Sequence, residues 1–244
     1  MRAPPFAAVW FDCDSTLTSI EGVDELLQWA EPALRADIAA LTRQAMEGTL
    51  ALAEVYETRL RQLAPRREQL EQVGRLYVQR AVPDAREVIA ALRHLGKQVG
   101  ICSGGLAVPV LALAAHLGID AGNVQAVPVL FHADGGYQDF DRRSPLWRNG
   151  GKVEVLRALP ATQRPLVFVG DGVTDLEAQG TVDLFVGYGG VAVRSKVKQA
   201  AECWLESKSL APLLRLVLTA TERATLASAP AFAALLARMD AAVT

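Results

Sequence analysis

The apolar run at residues 6–11, Phe-Ala-Ala-Val-Trp-Phe, ends abruptly in Asp12-Cys13-Asp14-Ser15-Thr16. Six apolar residues without alternation predict a strand buried on both faces, as in a parallel sheet. The two carboxylates then sit where the strand opens into a loop, and open α/β sheets place their ligand sites at the carboxyl ends of strands. Carboxylates this close repel each other, so a cation belongs between them, most naturally Mg²⁺. The same residues also suit a plainer device, an Asx turn in which Asp and Ser cap the next helix. This stretch alone leaves both readings open.

A chain of 244 residues supplies one large α/β domain or a core with an inserted subdomain, and 51% hydrophobic residues give ample core material. The formal net charge of −2 leaves no electrostatic footprint for nucleic acid. No apolar run approaches the ~20 residues of a membrane helix, so no membrane partner is expected. Met1-Arg2-Ala3-Pro4-Pro5 leads straight into the first strand instead of into a signal-peptide core. Cys13, Cys102 and Cys203 are odd in number and scattered, which points to a reducing cytoplasm with no disulfide frame. Cys13 has no basic neighbour in sequence and reads as a small buried thiol.

From residue 19 to about 80, apolar residues recur at helical spacing: Val23, Leu26, Leu27 and Ala30 form one stripe, and Leu34, Ile38 and Leu41 another. Pro65 suits the start of a further helix through Leu70, Val73 and Leu76. An all-helical block this long exceeds a simple crossover and predicts a lid inserted into the sheet domain. Next come a helix at 85–95, a strand at 98–102 that breaks at Ser103-Gly104-Gly105, and a helix at 106–117. Glycines and amides at a helix start favour an anion, although the tripeptide is equally an ordinary strand–helix turn. Residues 124–131 and 137–140 flank Asp134-Gly135-Gly136 and predict a hairpin. His116 and His132 lack a second ligand at useful spacing and read as structural or surface residues.

Asn149-Gly150-Gly151-Lys152 opens a helix through residue 159, and a lysine there opposes the helix dipole unless a phosphate lies beside it. Residues 165–169 form another doubly buried strand, ending in Gly170-Asp171-Gly172-Val173-Thr174-Asp175, a second carboxylate pair. A short strand at 182–186 precedes Tyr188-Gly189-Gly190 and a basic helix start at Arg194, Lys196 and Lys198. Beyond residue 210, Leu and Ala recur at helical spacing to Met239, which predicts one or two helices packed on the sheet domain or on a second subunit.

Four loops thus offer one set of parts: Asp12 with Asp14, Ser103, Lys152, and Asp171 with Asp175. The strongest of them follow strands, so a parallel sheet brings them to one edge. The series Asp-x-Asp-Ser-Thr, Ser-Gly-Gly, Gly-Gly-Lys and Gly-Asp-Gly-Val-Thr-Asp resembles the haloacid dehalogenase superfamily of phosphatases. Ser19-Ile20-Glu21-Gly22-Val23-Asp24-Glu25, Gln44-Ala45-Met46-Glu47-Gly48, Thr58-Arg59-Leu60 and Phe185-Val186-Gly187-Tyr188-Gly189-Gly190 further resemble the phosphoserine phosphatases, over residues 6–210. The fold so implied is α/β, a doubly wound parallel (Rossmann-like) sheet core at 1–16 and 82–210. It carries an inserted helical-bundle cap at 17–81 and a C-terminal helical extension at 211–244.

The resemblance implies Mg²⁺-dependent hydrolysis of a phosphomonoester, O-phosphoserine first, through an aspartyl-phosphate. It makes Asp12 the nucleophile, and Asp14 the acid for the leaving alkoxide and then the base for water. Asp12, Asp171 and the Asp14 carbonyl would hold the metal, while Ser103, Gly104 and Lys152 would bind phosphoryl oxygens. Asp175 would orient Lys152 or a water on the metal. Glu21 would take a substrate ammonium and Arg59 its carboxylate through a bidentate fork. Met46 would line the pocket, and Thr174 and Arg194 would add substrate contacts. Leu52 replaces the family's usual aromatic and Val127 its frequent Asn, at positions where specificity can shift. The partners expected are a small phosphorylated substrate and, through the leucine-rich tail, a second copy in a homodimer. Another small phosphomonoester stays open as substrate. A receiver-type signalling domain needs neither an acid two residues after the phosphorylated Asp nor a sixty-residue insertion, and a dehalogenase needs no Mg²⁺ and no acid at position 14.

Overall fold

β1 (Ala8–Phe11) is buried along its whole length, so its side chains demand cover on both faces. The computed structural model, which describes residues 5–46 and 52–241, supplies that cover with a six-stranded parallel sheet and flanking helices. Gly48 and the side chains of Gln44, Met46 and Leu52 lie outside the described residues. After β1 come α1 (Gly22–Leu26), α2 (Pro32–Met46), α3 (Leu52–Leu63) and α4 (Arg67–Gln79). The chain then runs through α5 (Ala85–His94), β2 (Gln98–Leu106), α6 (Ala107–Leu117), β3 (Val124–Val127), β4 (Val129–Phe131) and β5 (Tyr137–Phe140). It continues with α7 (Gly151–Ala158), β6 (Leu166–Gly170), α8 (Val173–Leu176), β7 (Leu184–Tyr188), α9 (Ser195–Ala200) and β8 (Cys203–Leu205). Three short helices finish it: α10 (Leu213–Val217), α11 (Ala220–Ala227) and α12 (Ala233–Ala241).

The sheet order is β3-β2-β1-β6-β7-β8. Val9 pairs with Val99 on one side and Val167 on the other, so β1 is central and parallel to both neighbours. The chain builds one half of the sheet outward from β1 and then returns to build the other. That makes the carboxyl end of β1 the topological switch point, where such sheets open a crevice.

Several elements depart from the sequence reading. β2 does not break at Ser103 but runs through both glycines to Leu106, with a register shift against β3 between Cys102 and Leu106. The strand expected at 124–131 is two strands, because Pro128 has no N–H to donate to a ladder. β3 joins the main sheet, whereas β4 pairs antiparallel with β5, Val129 opposite Phe140. β7 begins two residues later than anticipated, and β8, only three residues long, was too short to stand out.

The helical block α1–α4 enters and leaves the sheet domain through two adjacent antiparallel segments joined by an isolated bridge. Ser19 N–H donates to the Arg80 carbonyl at 2.9 Å, Val82 N–H donates to Leu17 at 2.9 Å, and Thr18 bridges Ala81. Within the block, α4 buries Leu70, Val73 and Tyr77. Val23 on α1, Tyr56 and Arg59 on α3 and Tyr77 on α4 bring the block against the loop that follows β1.

The C-terminal helices pack on the sheet domain of their own chain, where Leu213, Leu214, Val217, Leu226 and Met239 are wholly buried. Lys97 is buried there, donating to the Phe6 carbonyl at 2.7 Å and pairing with Glu222. Arg238 Nε lies 2.8 Å from Asp84. No described helix is long and apolar enough to cross a membrane.

Partial burial works against the Glu222 charge, but hydrogen bonds from Lys97 and Thr219 hold its carboxyl below the usual glutamate range. That stabilisation is present above the unfolded value of ~4.3 and is lost as pH falls through the lower folded value. Glu222→Gln should cost about 3 kcal/mol at neutral pH, because it strands the buried Lys97 ammonium. Urea denaturation should show this loss, and the gap to wild type should narrow below pH ~4.

Candidate active site

Asp12 is the first residue past β1, and its N–H still donates to Val169 in β6 at 2.8 Å. The chain then turns sharply: Thr16, Leu17 and Thr18 all donate to the Cys13 carbonyl, and Ser15 adopts a left-handed φ of 53°. A left-handed serine is sterically costly, and such strain collects at functional loops. Here it delivers the Ser15 hydroxyl to Glu21 Oε1 at 2.7 Å.

Lys152, in the first turn of α7, reaches back under the sheet edge. Its Nζ lies 2.7 Å from Asp12 Oδ1 and 2.5 Å from Asp175 Oδ1. Burial pulls the Lys152 pKa down, but Asp12 and Asp175 together hold it well above the usual lysine range. Asp175 is fully buried on α8, and its second oxygen accepts from the Gly172 amide at 2.8 Å. A Cβ on Gly170 would stand 2.4 Å from the Asp175 carboxyl carbon, so only glycine can end β6 here.

Asp171 accepts from Arg194 Nε at 2.7 Å and from Thr16 Oγ1 at 3.3 Å. Arg194 also reaches Glu21 Oε1 at 3.3 Å. Ligand oxygens of Asp12, Asp171 and Asp175 lie within 4.8 Å of one another. Each nearby cation is shared: Lys152 serves Asp12 and Asp175, and Arg194 serves Asp171 and Glu21. Burial, then repulsion from Asp12, pushes Asp171 up to about 6 and Asp175 up to about 8. A buried, oxygen-only and under-neutralised cluster fits a hard divalent cation.

Asp14 faces the other way. Its Oδ1 accepts from the Tyr77 hydroxyl and its Oδ2 from the Gly22 amide at 3.4 Å. Burial and the neighbouring Glu21 raise its carboxyl well above the ordinary range, against the opposing effect of the Tyr77 hydrogen bond. Ser103 is buried, its Oγ accepting from the Gly105 amide at 3.0 Å, and the Gly104 carbonyl accepts from the Tyr56 hydroxyl at 3.0 Å.

A cavity of about 210 Å³ opens between these loops and the helical block. Asp12, Asp14, Glu21, Arg59, Ser103, Gly104, Lys152, Asp171, Thr174, Asp175 and Arg194 all line it. Met46 and Leu52 lie outside the described residues in their side chains. Val127 is buried in β3 and does not line the cavity, which removes it as a specificity position. Arg59 holds Asp24 of its own block at 3.1 Å, while its Nε is buried with no hydrogen-bond partner. Cys13 is fully buried, and burial followed by the Asp14 charge pushes its thiol up, consistent with a packing role. Tyr56, Trp147 and Tyr77 were missed from the sequence. Tyr56 was within reach, lying one turn before Arg59 on the same face of α3.

The sequence of residues 9–178 matches the model of the haloacid dehalogenase-like hydrolases. Phosphoserine phosphatase from Bos taurus is 35% identical over 200 residues, covering 81% of this chain and 88% of its own. The Mus musculus phosphoserine phosphatase is 34% identical over the same shares. Among solved structures, a phosphoserine phosphohydrolase-like protein from Francisella tularensis superposes with a TM-score of 0.74 at 23% identity, covering 86% of this chain and 99% of the other.

Carboxyls raised on folding stabilise the folded state at low pH, and that contribution is lost as pH rises through the folded values. The metal-free protein should therefore lose stability between pH ~4 and about 8, with about 3 kcal/mol from Asp171 alone. A divalent cation should flatten this slope. Urea midpoints measured across the range, with chelator and with cation, check it; a slope indifferent to cation would deny the metal site.

Proposed function

The chain belongs to the haloacid dehalogenase-like hydrolases, and we propose that it hydrolyses O-phosphoserine to serine and phosphate through a phosphorylated Asp12. The observation that carries this reading is the contrast between two carboxylates two residues apart. Asp12 is paired with Lys152 at 2.7 Å, as a nucleophile in its charged form requires. Asp14, buried beside Glu21 and Tyr77, is raised well above the carboxylate range, as an acid working near neutral pH requires.

In the first half-reaction Asp12 attacks phosphorus and Asp14 gives its proton to the departing serine oxygen, which is too basic to leave as an alkoxide. In the second, Asp14 takes a proton from water, whose oxygen attacks phosphorus and frees Asp12. Lys152 neutralises charge on the phosphoryl group, and Asp175 holds Lys152 in place. The Ser103 hydroxyl and the Gly104 region bind the remaining phosphoryl oxygens. The Asp12 and Asp171 carboxylates and the Asp14 carbonyl would hold Mg²⁺, which when bound supplies Lewis-acid charge to the phosphoryl group.

At about 210 Å³ the cavity suits a small phosphomonoester and falls below the usual drug-sized pocket of ~300–1,000 Å³. Glu21 takes the substrate ammonium and the unpartnered Arg59 Nε faces its carboxylate, with Thr174 and Arg194 completing the wall. Glu21 holds Arg194 and Ser15 in the free site, so an incoming ammonium exchanges with an existing positive partner instead of meeting a bare charge.

Phosphate release from O-phosphoserine should depend on Mg²⁺, stop with EDTA and return on adding Mg²⁺. Asp12→Asn should abolish turnover without unfolding the chain. Arg59→Ala should reduce kcat/KM for phosphoserine roughly ten- to a hundredfold more than for phosphoethanolamine, the size of one charged hydrogen bond. Equal losses on both substrates would remove the carboxylate contact, and near-normal hydrolysis by Asp12→Asn would sink the mechanism.

A further inference from the structure

Resting on the reading of Ser103 as a ligand for the phosphoryl group, we propose that Tyr56 is a positioning residue. Through the peptide that joins Gly104 to Gly105, it holds the Ser103 hydroxyl in the orientation that donates to a phosphoryl oxygen. Tyr56 lies on α3 and donates its hydroxyl proton to the Gly104 carbonyl at 3.0 Å. The N–H of that same peptide belongs to Gly105, and it donates to Ser103 Oγ at 3.0 Å. One planar amide is thus gripped at both ends, by the helical block at its oxygen and by Ser103 at its nitrogen. A hydroxyl oxygen that accepts from a fixed donor turns its own proton away from that donor. Among the described residues no acceptor takes the Ser103 proton, and Ser103 lines the cavity, so the proton is left for a ligand there.

The sheet does not fix this peptide by itself. Registered pairs between β2 and β1 end at Ile101, and those between β2 and β3 skip from Cys102 to Leu106. Gly104 and Gly105 also lack the Cβ that restricts backbone rotation, so an untethered amide between them would turn readily. A Cβ on Gly105 would press on Ser103 Oγ at 3.2 Å, so the close contact itself favours glycine. The tether has to come from outside β2, and Tyr56 supplies it.

The Tyr56 ring is braced for that role. It stands edge-on to Phe140 with 5.5 Å between centroids, and Phe140 stands edge-on to Trp147 at 5.4 Å. Phe140 is itself buried, so the ring has little room to swing and its hydroxyl stays aimed. Tyr56 also lies one turn before Arg59 on α3. The helix that takes the substrate carboxylate in the proposed function therefore also sets the Ser103 donor. Recognition of the leaving group and stabilisation of the phosphoryl group are tied to the same rigid element. The ring of Tyr56 lines the cavity as well, so action through Ser103 has to be separated from direct contact with substrate.

The test is a double-mutant cycle with O-phosphoserine, reading kcat/KM for Tyr56→Phe, Ser103→Ala and the two combined. Tyr56→Phe keeps the ring that packs on Phe140 and removes only the hydroxyl. Ser103→Ala should lower kcat/KM roughly a hundredfold, the loss of one donor to a phosphoryl oxygen. Tyr56→Phe should lower it about three- to tenfold in the wild-type background, the size of one neutral hydrogen bond. In the Ser103→Ala background the same change should cost less than ~1.5-fold, because its route to the phosphoryl group is gone. Inhibition gives a second readout that loosened packing would not produce. Tyr56→Phe should raise the inhibition constant for inorganic phosphate about three- to tenfold and leave that for serine, which fills the leaving-group side, within ~1.5-fold. Equal losses in both backgrounds, or equal weakening of phosphate and serine, would overturn the positioning role alone, since either pattern means direct substrate contact or a loosened helical block. An active enzyme indifferent to Ser103→Ala overturns the phosphoryl role of Ser103, and a wild-type enzyme inert toward O-phosphoserine overturns the proposed function; this proposal falls with either.

Discussion

The site depends on one buried ammonium. Lys152 is 7% exposed and stands between Asp12 and Asp175, at 2.7 and 2.5 Å. Burying an ammonium costs several kcal/mol, and only close carboxylates can offset it. The ammonium and its two carboxylates come from three places in the chain: the start of α7, the end of β1 and the turn of α8. They meet because β1 and β6 are paired in register, Phe11 opposite Val169, so that Asp12 and Asp171 leave the sheet side by side. The sheet register and the ion pair therefore support each other: a slip in β1 would separate Asp12 from Lys152, leaving Asp12 buried without its cation and Lys152 with Asp175 alone.

Around that pair the electrostatics are deliberately short of positive charge. Arg194 is divided between Asp171 and Glu21, just as Lys152 is divided between Asp12 and Asp175. Burial drives up both Asp171 and Asp175, which means that the protein alone does not fully stabilise its own charges. The deficit is what makes the cluster receptive to a divalent cation, and a fully neutralised cluster would have no use for one. The left-handed Ser15 adds local backbone strain at the same loop, where its hydroxyl donates to Glu21.

Much of this was legible in the sequence, for definite reasons. An unalternated apolar run followed by Asp-x-Asp can hardly be anything but a buried strand ending in a loop, and Gly170 is required because the Asp175 carboxyl occupies the space a side chain would need. What escaped was encoded in three dimensions. Tyr77 falls in the Leu70–Val73 stripe of α4 and reads as core from spacing alone; only the direction of its hydroxyl distinguishes it. The continuation of β2 through Ser103-Gly104-Gly105 depends on β3 alongside, and glycines by themselves suggest a break. The pairing of Lys97 with Glu222 spans 125 residues, and nothing local in either segment announces it. Trp147 enters the site from the short helical turn at Pro145–Trp147, which no motif marks.

Asp12 and Asp14 differ in chemistry because they belong to different parts of the molecule, although they are two residues apart. Asp12 answers to the sheet domain through Lys152 and the β6 backbone. Asp14 answers to the helical block, since both of its hydrogen-bond donors, Tyr77 on α4 and Gly22 on α1, come from there. The desolvation that raises the Asp14 carboxyl is itself the work of that cover. With the block lifted away, water would reach Asp14, its carboxyl would fall toward the ordinary value, and it would stand ionised and without a proton to give. The nucleophile would survive such an opening, because its partners lie in the sheet. The acid would not. In the proposed mechanism, proton donation would thus be available only with the cover in place, where bulk water would also be kept from the phosphoryl group.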